Sequence, residues 1–230
     1  KKMTGVSKSG SLPRKQTLAN IFSRAVNKDM PVEDIVLNDY PQFMRHLEAI
    51  HEMSKAYQRQ KAEHNFMDYD DLLIYLEMLL KKNNDVRDNI CKTYQFLMVD
   101  EYQDTNKIQA EIIYLLAGTH ENVMVVGDDS QSIYAFRGAN FENIMRFSEI
   151  FPKARTIQLE ENYRIVEPIL KLTNVIIERA TRKYSKVLFT QKPGGALPLL
   201  IKAKSENSQS RFVAEKIQKL HDSGVPLNQI

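Results

Sequence analysis

Phe96-Leu97-Met98-Val99-Asp100-Glu101-Tyr102-Gln103-Asp104-Thr105 is the stretch on which the fold turns. Four apolar residues run without a polar interruption and stop at two adjacent carboxylates. A run of this kind, strand-sized and unbroken, is what a parallel strand covered on both faces looks like. Further along, residues 108–117 have helical periodicity and stop at Gly118, and Val123-Met124-Val125-Val126 repeats the strand pattern before Gly127-Asp128. Residues 141–147 are helical again, and residues 156–159 read as a third strand ahead of Asn162. Strand alternating with helix predicts a parallel α/β sheet with right-handed crossovers. The polar clusters then follow the carboxyl ends of strands, where open α/β sheets bind ligands.

Towards the start, residues 1–13 hold Gly5, Gly10 and Pro13 among several Ser and Lys, a loop composition, and order is expected from about Leu12. Residues 17–59 are helical, with Leu18, Ile21, Phe22 and Ala25 on one face and, after Pro41, Phe43, Leu47 and Ile50 on another. Residues 68–82 begin with Asp68, Asp70 and Asp71 and end with Lys81-Lys82, the charge order that a helix dipole favours, so these acids read as helix-initiating groups. Beyond Arg164, residues 169–180 are helical. A Pro193-Gly194-Gly195 break, a short apolar stretch over 197–201 and a last helix around 211–220 follow.

With 230 residues, 43% of them hydrophobic, the chain has enough core for one large domain or two small ones. Its net charge of +3 hides a pattern: +4 over residues 1–60, −7 over 61–164 and +6 over 165–230. An acidic centre between basic flanks suits a metal or catalytic water beside a polyanion, although solvated charge gives the same arithmetic. Cys91 is the single cysteine, which excludes an internal disulfide and a cysteine-based zinc cluster and fits a reducing cytoplasm. His46 and His51 lack the spacing of a metal pair. The longest apolar runs are strand-sized and far short of a membrane span, no secretory signal is visible, and Met at the third position suggests a piece of something longer.

An acid pair at a strand end is the arrangement a nucleotide hydrolase needs, one carboxylate for a divalent cation and its neighbour for the attacking water, though a turn or helix cap looks the same. The surrounding words narrow the choice. Asp100-Glu101-Tyr102-Gln103-Asp104-Thr105 is followed by Gly127-Asp128-Asp129-Ser130-Gln131-Ser132-Ile133-Tyr134-Ala135-Phe136-Arg137-Gly138-Ala139 and then by Leu159-Glu160-Glu161-Asn162-Tyr163-Arg164. In that order they resemble motifs II, III and IV of superfamily 1 DNA helicases of the UvrD/Rep/PcrA type, and Tyr69-Asp70-Asp71-Leu72-Leu73 resembles the aspartate-rich segment upstream.

The resemblance implies ATP and Mg²⁺ as cofactors. Asp100, with Glu101, would hold the metal, Glu101 would activate the hydrolytic water, and Gln131 would sense the γ-phosphate. Arg164 would act as an arginine finger, with Tyr163 against the adenine. Tyr134, Phe136 and Arg137 would meet single-stranded DNA, with Phe136 where the family often has Trp; this chain has no Trp. Arg137 is expected to reach towards Glu101 as well. Arg179, Arg182, Lys183 and Lys186 could track phosphates or form a solvated helix face.

The implied fold is α/β, a partial RecA-like parallel sheet flanked by helices with an N-terminal all-helical insertion. Residues 1–66 would be a 1B-like subdomain, 67–160 the second half of RecA-like domain 1A and 161–230 the opening of domain 2A. The implied function is part of a 3′→5′ DNA helicase or translocase acting on single strands and duplex junctions in repair or replication restart. Two other readings stay open: the helicase part of a RecB/AddA-type helicase–nuclease, and a non-catalytic binding module. Of the eight glycines only Gly5 and Gly10 have the spacing of a phosphate-cradling loop, and Ser11-Leu12 follows where Lys-Ser/Thr belongs, so the isolated fragment is expected to be inactive.

Overall fold

The computed structural model describes residues 12–230, so the loop expected over residues 1–13 lies almost wholly outside the described residues. The chain divides into two compact units, one made of the residues up to Ile157 plus Arg182–Tyr184, the other of Gln158–Thr181 and Ser185–Ile230.

The first unit opens with α1 (Lys15–Lys28), α2 (Val32–Asp39), a 3₁₀ turn over Pro41–His46 and α3 (Leu47–His64). Pro31 and Pro41 mark the breaks. Asp29 and Asn65 close α1 and α3 in the left-handed conformation, which short polar side chains tolerate better than others. Ile21, Ile35, Val36 and Ile50 are fully buried where these helices meet, packed against Leu18, Phe22, Phe43 and Leu47. The helical N-terminal region is therefore as the periodicity indicates.

α4 (Tyr69–Lys82) starts at a reciprocal cap: Asp68 accepts from the Asp71 amide at 2.9 Å, and Asp71 accepts from the Asp68 amide at 2.9 Å. α5 (Asn84–Thr93) follows and turns Cys91 into the interior. β1 (Leu97–Val99) then pairs in parallel with β2 (Val123–Val125), Met98 opposite Met124, with α6 (Lys107–Ala117) as the crossover. α7 (Glu142–Met145) and α8 (Phe147–Ile150) close the unit. Tyr102, Ala117, Ile144, Phe147 and Phe151 form its second core, with Leu97, Val99, Val123 and Val125 turned towards them.

The result is a mixed α/β structure, mostly helical with a small parallel sheet, consistent with part of a RecA-like fold. Three local expectations are corrected. Among the described residues the sheet is covered on one face: Met98 is 76% and Met124 53% exposed on the other. Residues 156–159 form no strand. Apolar residues there make a strand only if a neighbour offers a hydrogen-bond ladder, and instead the segment stays irregular with Ile157 and Leu159 exposed. The single helix expected over 141–147 is two short ones, interrupted at Arg146.

In the second unit α9 (Glu167–Glu178) and α10 (Glu206–Asp222) are separated by irregular chain. One isolated parallel bridge joins Glu161 to Phe189, through Asn162 N–H to the Phe189 carbonyl at 2.7 Å and Phe189 N–H to the Glu160 carbonyl at 3.0 Å. The apolar residues 197–201 are exposed. No helix among the described residues is long and apolar enough to cross a membrane.

Candidate functional site

The parallel ladder does not stop at Val99. Val126 N–H donates to the Val99 carbonyl at 2.8 Å, and the Val126 carbonyl accepts from Tyr102 N–H at 2.9 Å. A regular parallel ladder would take that second bond from residue 101, so the chain holds one extra residue, a bulge at the strand tip. Glu101 absorbs it with φ 49° and ψ 42°, a left-handed conformation that a non-glycine residue adopts at a cost of roughly 1 kcal/mol. Tyr102 pins the far side: its ring is fully buried, edge-on to Phe147, and its hydroxyl pairs with that of Tyr114 at 3.0 Å. Burial pushes the Tyr102 phenol well above its ordinary pKa, so it stays neutral.

The bulge leaves Asp100 and Glu101 exposed. Asp100 accepts from the Glu101 amide at 2.9 Å. Glu101 accepts from Gln103 Nε2 at 2.7 Å, and Gln103, only 1% exposed, accepts at its own Oε1 from the Asp128 amide at 3.0 Å. One buried amide thus ties the acid pair to the loop after β2. The tie needs Gly127: a Cβ there would lie 2.6 Å from Gln103 Oε1 and 2.8 Å from Ile144 Cδ1. Asp128 accepts from the Ser130 amide at 3.0 Å and from Gln131 Nε2 at 2.8 Å, which orients the exposed Gln131 side chain. Asp129 is buried and accepts from the Tyr184 amide at 2.9 Å.

Seven residues on, the same loop forms a short turn bearing Tyr134 (37% exposed) and Phe136 (54% exposed), whose ring centroids are 6.0 Å apart. Neither is core. The Arg137 guanidinium lies over both rings, 5.1 Å from the Tyr134 centroid and 5.4 Å from that of Phe136. Arg137 therefore does not reach towards Glu101 as expected; cation–π contact with its neighbours holds it at the loop surface.

In the second unit Asn162 Oδ1 accepts from the amides of Arg164 at 2.9 Å and Ile165 at 2.8 Å, a local turn that fixes the Tyr163-Arg164 backbone. Both side chains are exposed, and the Tyr163 hydroxyl donates to Glu161 at 2.7 Å, which raises its pKa. The basic residues 179–186 are not a helix face, since α9 ends at Glu178. Arg182 is ion-paired with Glu142 and so is not held in reserve for phosphate.

The aspartates of α4 also resolve into separate tasks. Asp68 and Asp71 cap the helix and grip Lys61 at 2.7 and 2.6 Å, while Asp70 accepts from Asn27 Nδ2 at 2.7 Å. Among the described residues no group of three or more His, Cys, Asp or Glu side chains could hold a metal. The strand tip offers only two exposed carboxylates, which suits Mg²⁺, an ion that keeps several waters and takes one or two carboxylates plus substrate phosphates. Sequence reading missed Gln103, Asn27, Asn106 and Asn143. Uncharged amides leave no mark in charge or periodicity, and only the position of Gln103, two residues after the acid pair, pointed to it.

Comparison with known proteins agrees with the class that the bulged acid pair on a parallel sheet suggests. Residues 4–152 match the family UvrD/REP helicase N-terminal domain, and residues 157–230 match the UvrD-like helicase C-terminal domain. The chain belongs to the UvrD/Rep helicase family. Among its relatives, the ATP-dependent DNA helicase PcrA of Staphylococcus epidermidis is 37% identical over 179 residues, 78% of this chain and 25% of that protein. PcrA of Leuconostoc citreum is 36% identical over 176 residues, 76% of this chain and 24% of its own length. PcrA of Staphylococcus aureus is 36% identical over 179 residues, 78% and 24% respectively. The chain thus spans about a quarter of the length of the curated relatives it matches.

Proposed function

We propose that this chain is a segment of an ATP-dependent DNA helicase or translocase that couples ATP hydrolysis to movement along single-stranded DNA. The link through Gln103 carries the reading. The carboxylate suited to orienting a water and the loop bearing Gln131 and the exposed aromatic pair share one buried side chain, so phosphate chemistry and strand contact have a common part.

On this reading Asp100 holds Mg²⁺ with Glu101 beside it. The bound ion would supply charge neutralisation across the phosphate oxygens. Glu101 orients and deprotonates the attacking water, and Gln131 reads the presence of the γ-phosphate. Arg164 meets the charge that develops on the transferred phosphoryl group, and Tyr163 packs against the adenine. Tyr134 and Phe136 offer stacking faces that accept any base, and Arg137 adds positive charge between them. Residues 1–66 act as a helical insertion (1B-like), 67–160 as the latter part of a first RecA-like domain and 161–230 as the opening of a second. Movement in the 3′→5′ sense, a role in repair or replication restart and action at duplex junctions follow from the family resemblance, and work in the cytoplasm fits the single Cys91.

The test is ATP turnover by the complete protein with and without single-stranded DNA. Turnover is expected to rise on adding the strand, and Arg164→Ala is expected to lower it by about 10³–10⁵ with the thermal midpoint unchanged. Hydrolysis indifferent to single strands, or an undiminished Arg164→Ala variant, would overturn the reading. The 230 residues alone are expected to hydrolyse almost no ATP, checked by phosphate release from a clean preparation.

A further inference from the structure

Asn27, the penultimate residue of α1, has both ends of its carboxamide in use. Nδ2 donates to Asp70 Oδ1 at 2.7 Å and to the Ser23 carbonyl at 2.8 Å, and Oδ1 accepts from Asn106 Nδ2 at 2.7 Å. Asn106 is 5% exposed and lies five residues past the acid pair, where it caps α6. Its carbonyl accepts from Asn143 Nδ2 at 3.1 Å, and the same nitrogen donates to the Thr105 carbonyl at 3.0 Å. On its other side Asn27 meets the aromatic loop. Gly138, at φ +96°, lies so close that a Cβ on it would be 2.7 Å from Asn27 Cβ and 2.8 Å from the Asn27 carbonyl oxygen. Gly138 ends the turn that carries Tyr134, Phe136 and Arg137.

The end of α1 is therefore wedged between the segment that follows the strand-tip carboxylates and the loop that bears the aromatic pair. A half-buried amide with donor and acceptor both committed is held in one orientation, and a residue packed on a left-handed glycine has no room to drift. We propose that Asn27 is a positioning residue that sets the placement of the aromatic loop relative to the acid pair, and so sets how strongly a bound single strand stimulates nucleotide hydrolysis. Asn27 touches neither nucleotide nor strand in this account; it acts through Asn106 and Gly138. The inference rests on the helicase reading.

The experiment is the single-strand-stimulated ATPase of the complete protein, measured against concentration of an oligothymidylate. Asn27→Ala is expected to raise the half-stimulating concentration about tenfold, the size of one or two lost hydrogen bonds, while hydrolysis without DNA stays within about twofold of wild type. Asn27→Asp sets two carboxylates against each other at the Asp70 contact and is expected to do at least as much harm. Combining Asn27→Asp with Asp70→Asn restores the bond to position 70 with donor and acceptor exchanged but leaves the Ser23 carbonyl without its donor, and is expected to recover part of the lost stimulation relative to Asn27→Asp alone. Gly138→Ala approaches the contact from the other side and is expected to shift the half-stimulating concentration in the same direction. An unchanged half-stimulating concentration in Asn27→Ala, proportional loss of both activities, or no recovery in the exchanged pair would overturn the inference. Wild-type protein that hydrolyses ATP without responding to the strand would instead overturn the helicase reading beneath it.

Discussion

Two acidic runs in this chain look alike in the sequence and differ in the structure. Asp68, Asp70 and Asp71 are consumed by their surroundings. Asp68 and Asp71 close on the buried Lys61 ammonium, which also lies 4.5 Å from the centre of the Tyr57 ring, and Asp70 is bonded to Asn27. Among the described residues, Asp100 and Glu101 have only a backbone amide and the Gln103 carboxamide as hydrogen-bond donors, and neither makes an ion pair. The contrast teaches that clustered carboxylates signal chemistry only where their charge is left uncancelled. A helix start surrounds its acids with donors, whereas a bulged strand tip presents them to solvent.

The sharpest way to break this comparison is Glu101→Gln, which keeps the shape and removes the charge. In the complete protein it is expected to lower ATP turnover by about 10²–10⁴ while single-strand binding persists, read by phosphate release and by fluorescence anisotropy of a labelled oligonucleotide. Lys61→Met should do the opposite. It leaves two partly or fully buried carboxylates without their cation, and an uncompensated loss of this kind costs about 3–5 kcal/mol, visible as a lower midpoint in denaturant unfolding.

The smallest effect is in acid. Burial alone would raise the Asp68 pKa, but Lys61, the Asp71 amide and the Tyr57 hydroxyl outweigh it and hold it below the ordinary value. Its stabilising contribution is therefore complete above about pH 4 and is lost as pH falls further. For Lys61 burial is again opposed by the two carboxylates, which keep its pKa above that of an ordinary lysine, so the cluster is indifferent to pH through the neutral range. Thermal midpoints measured from pH 5 to pH 3 are expected to fall less steeply for Asp68→Asn than for wild type. Equal slopes would mean that this cluster contributes nothing to acid sensitivity.

The helices with one apolar face, two strands and the acid pair were legible in the sequence because each depends on neighbours within a few residues. What was not legible depends on distant partners. Residues 156–159 have strand chemistry but no ladder beside them. Asn27 meets Asp70 and Asn106, 43 and 79 residues away, and Gln103 meets the Asp128 amide 25 residues on. Arg137 was expected to reach towards Glu101, whereas its guanidinium lies over the two aromatic faces of its own turn, a packing that leaves no mark in the order of residues. The exposed faces of Met98 and Met124 were likewise hidden, since an apolar run reads the same whether one face or two are covered.

The backbone of Glu101 has a consequence for how such a protein tolerates improvement. Glycine would relax that left-handed bend and lose the carboxylate in the same stroke, so selection for heat resistance alone would favour erasing the side chain to which the proposed chemistry is assigned. On the proposed function, hardiness and turnover pull this one position in opposite directions.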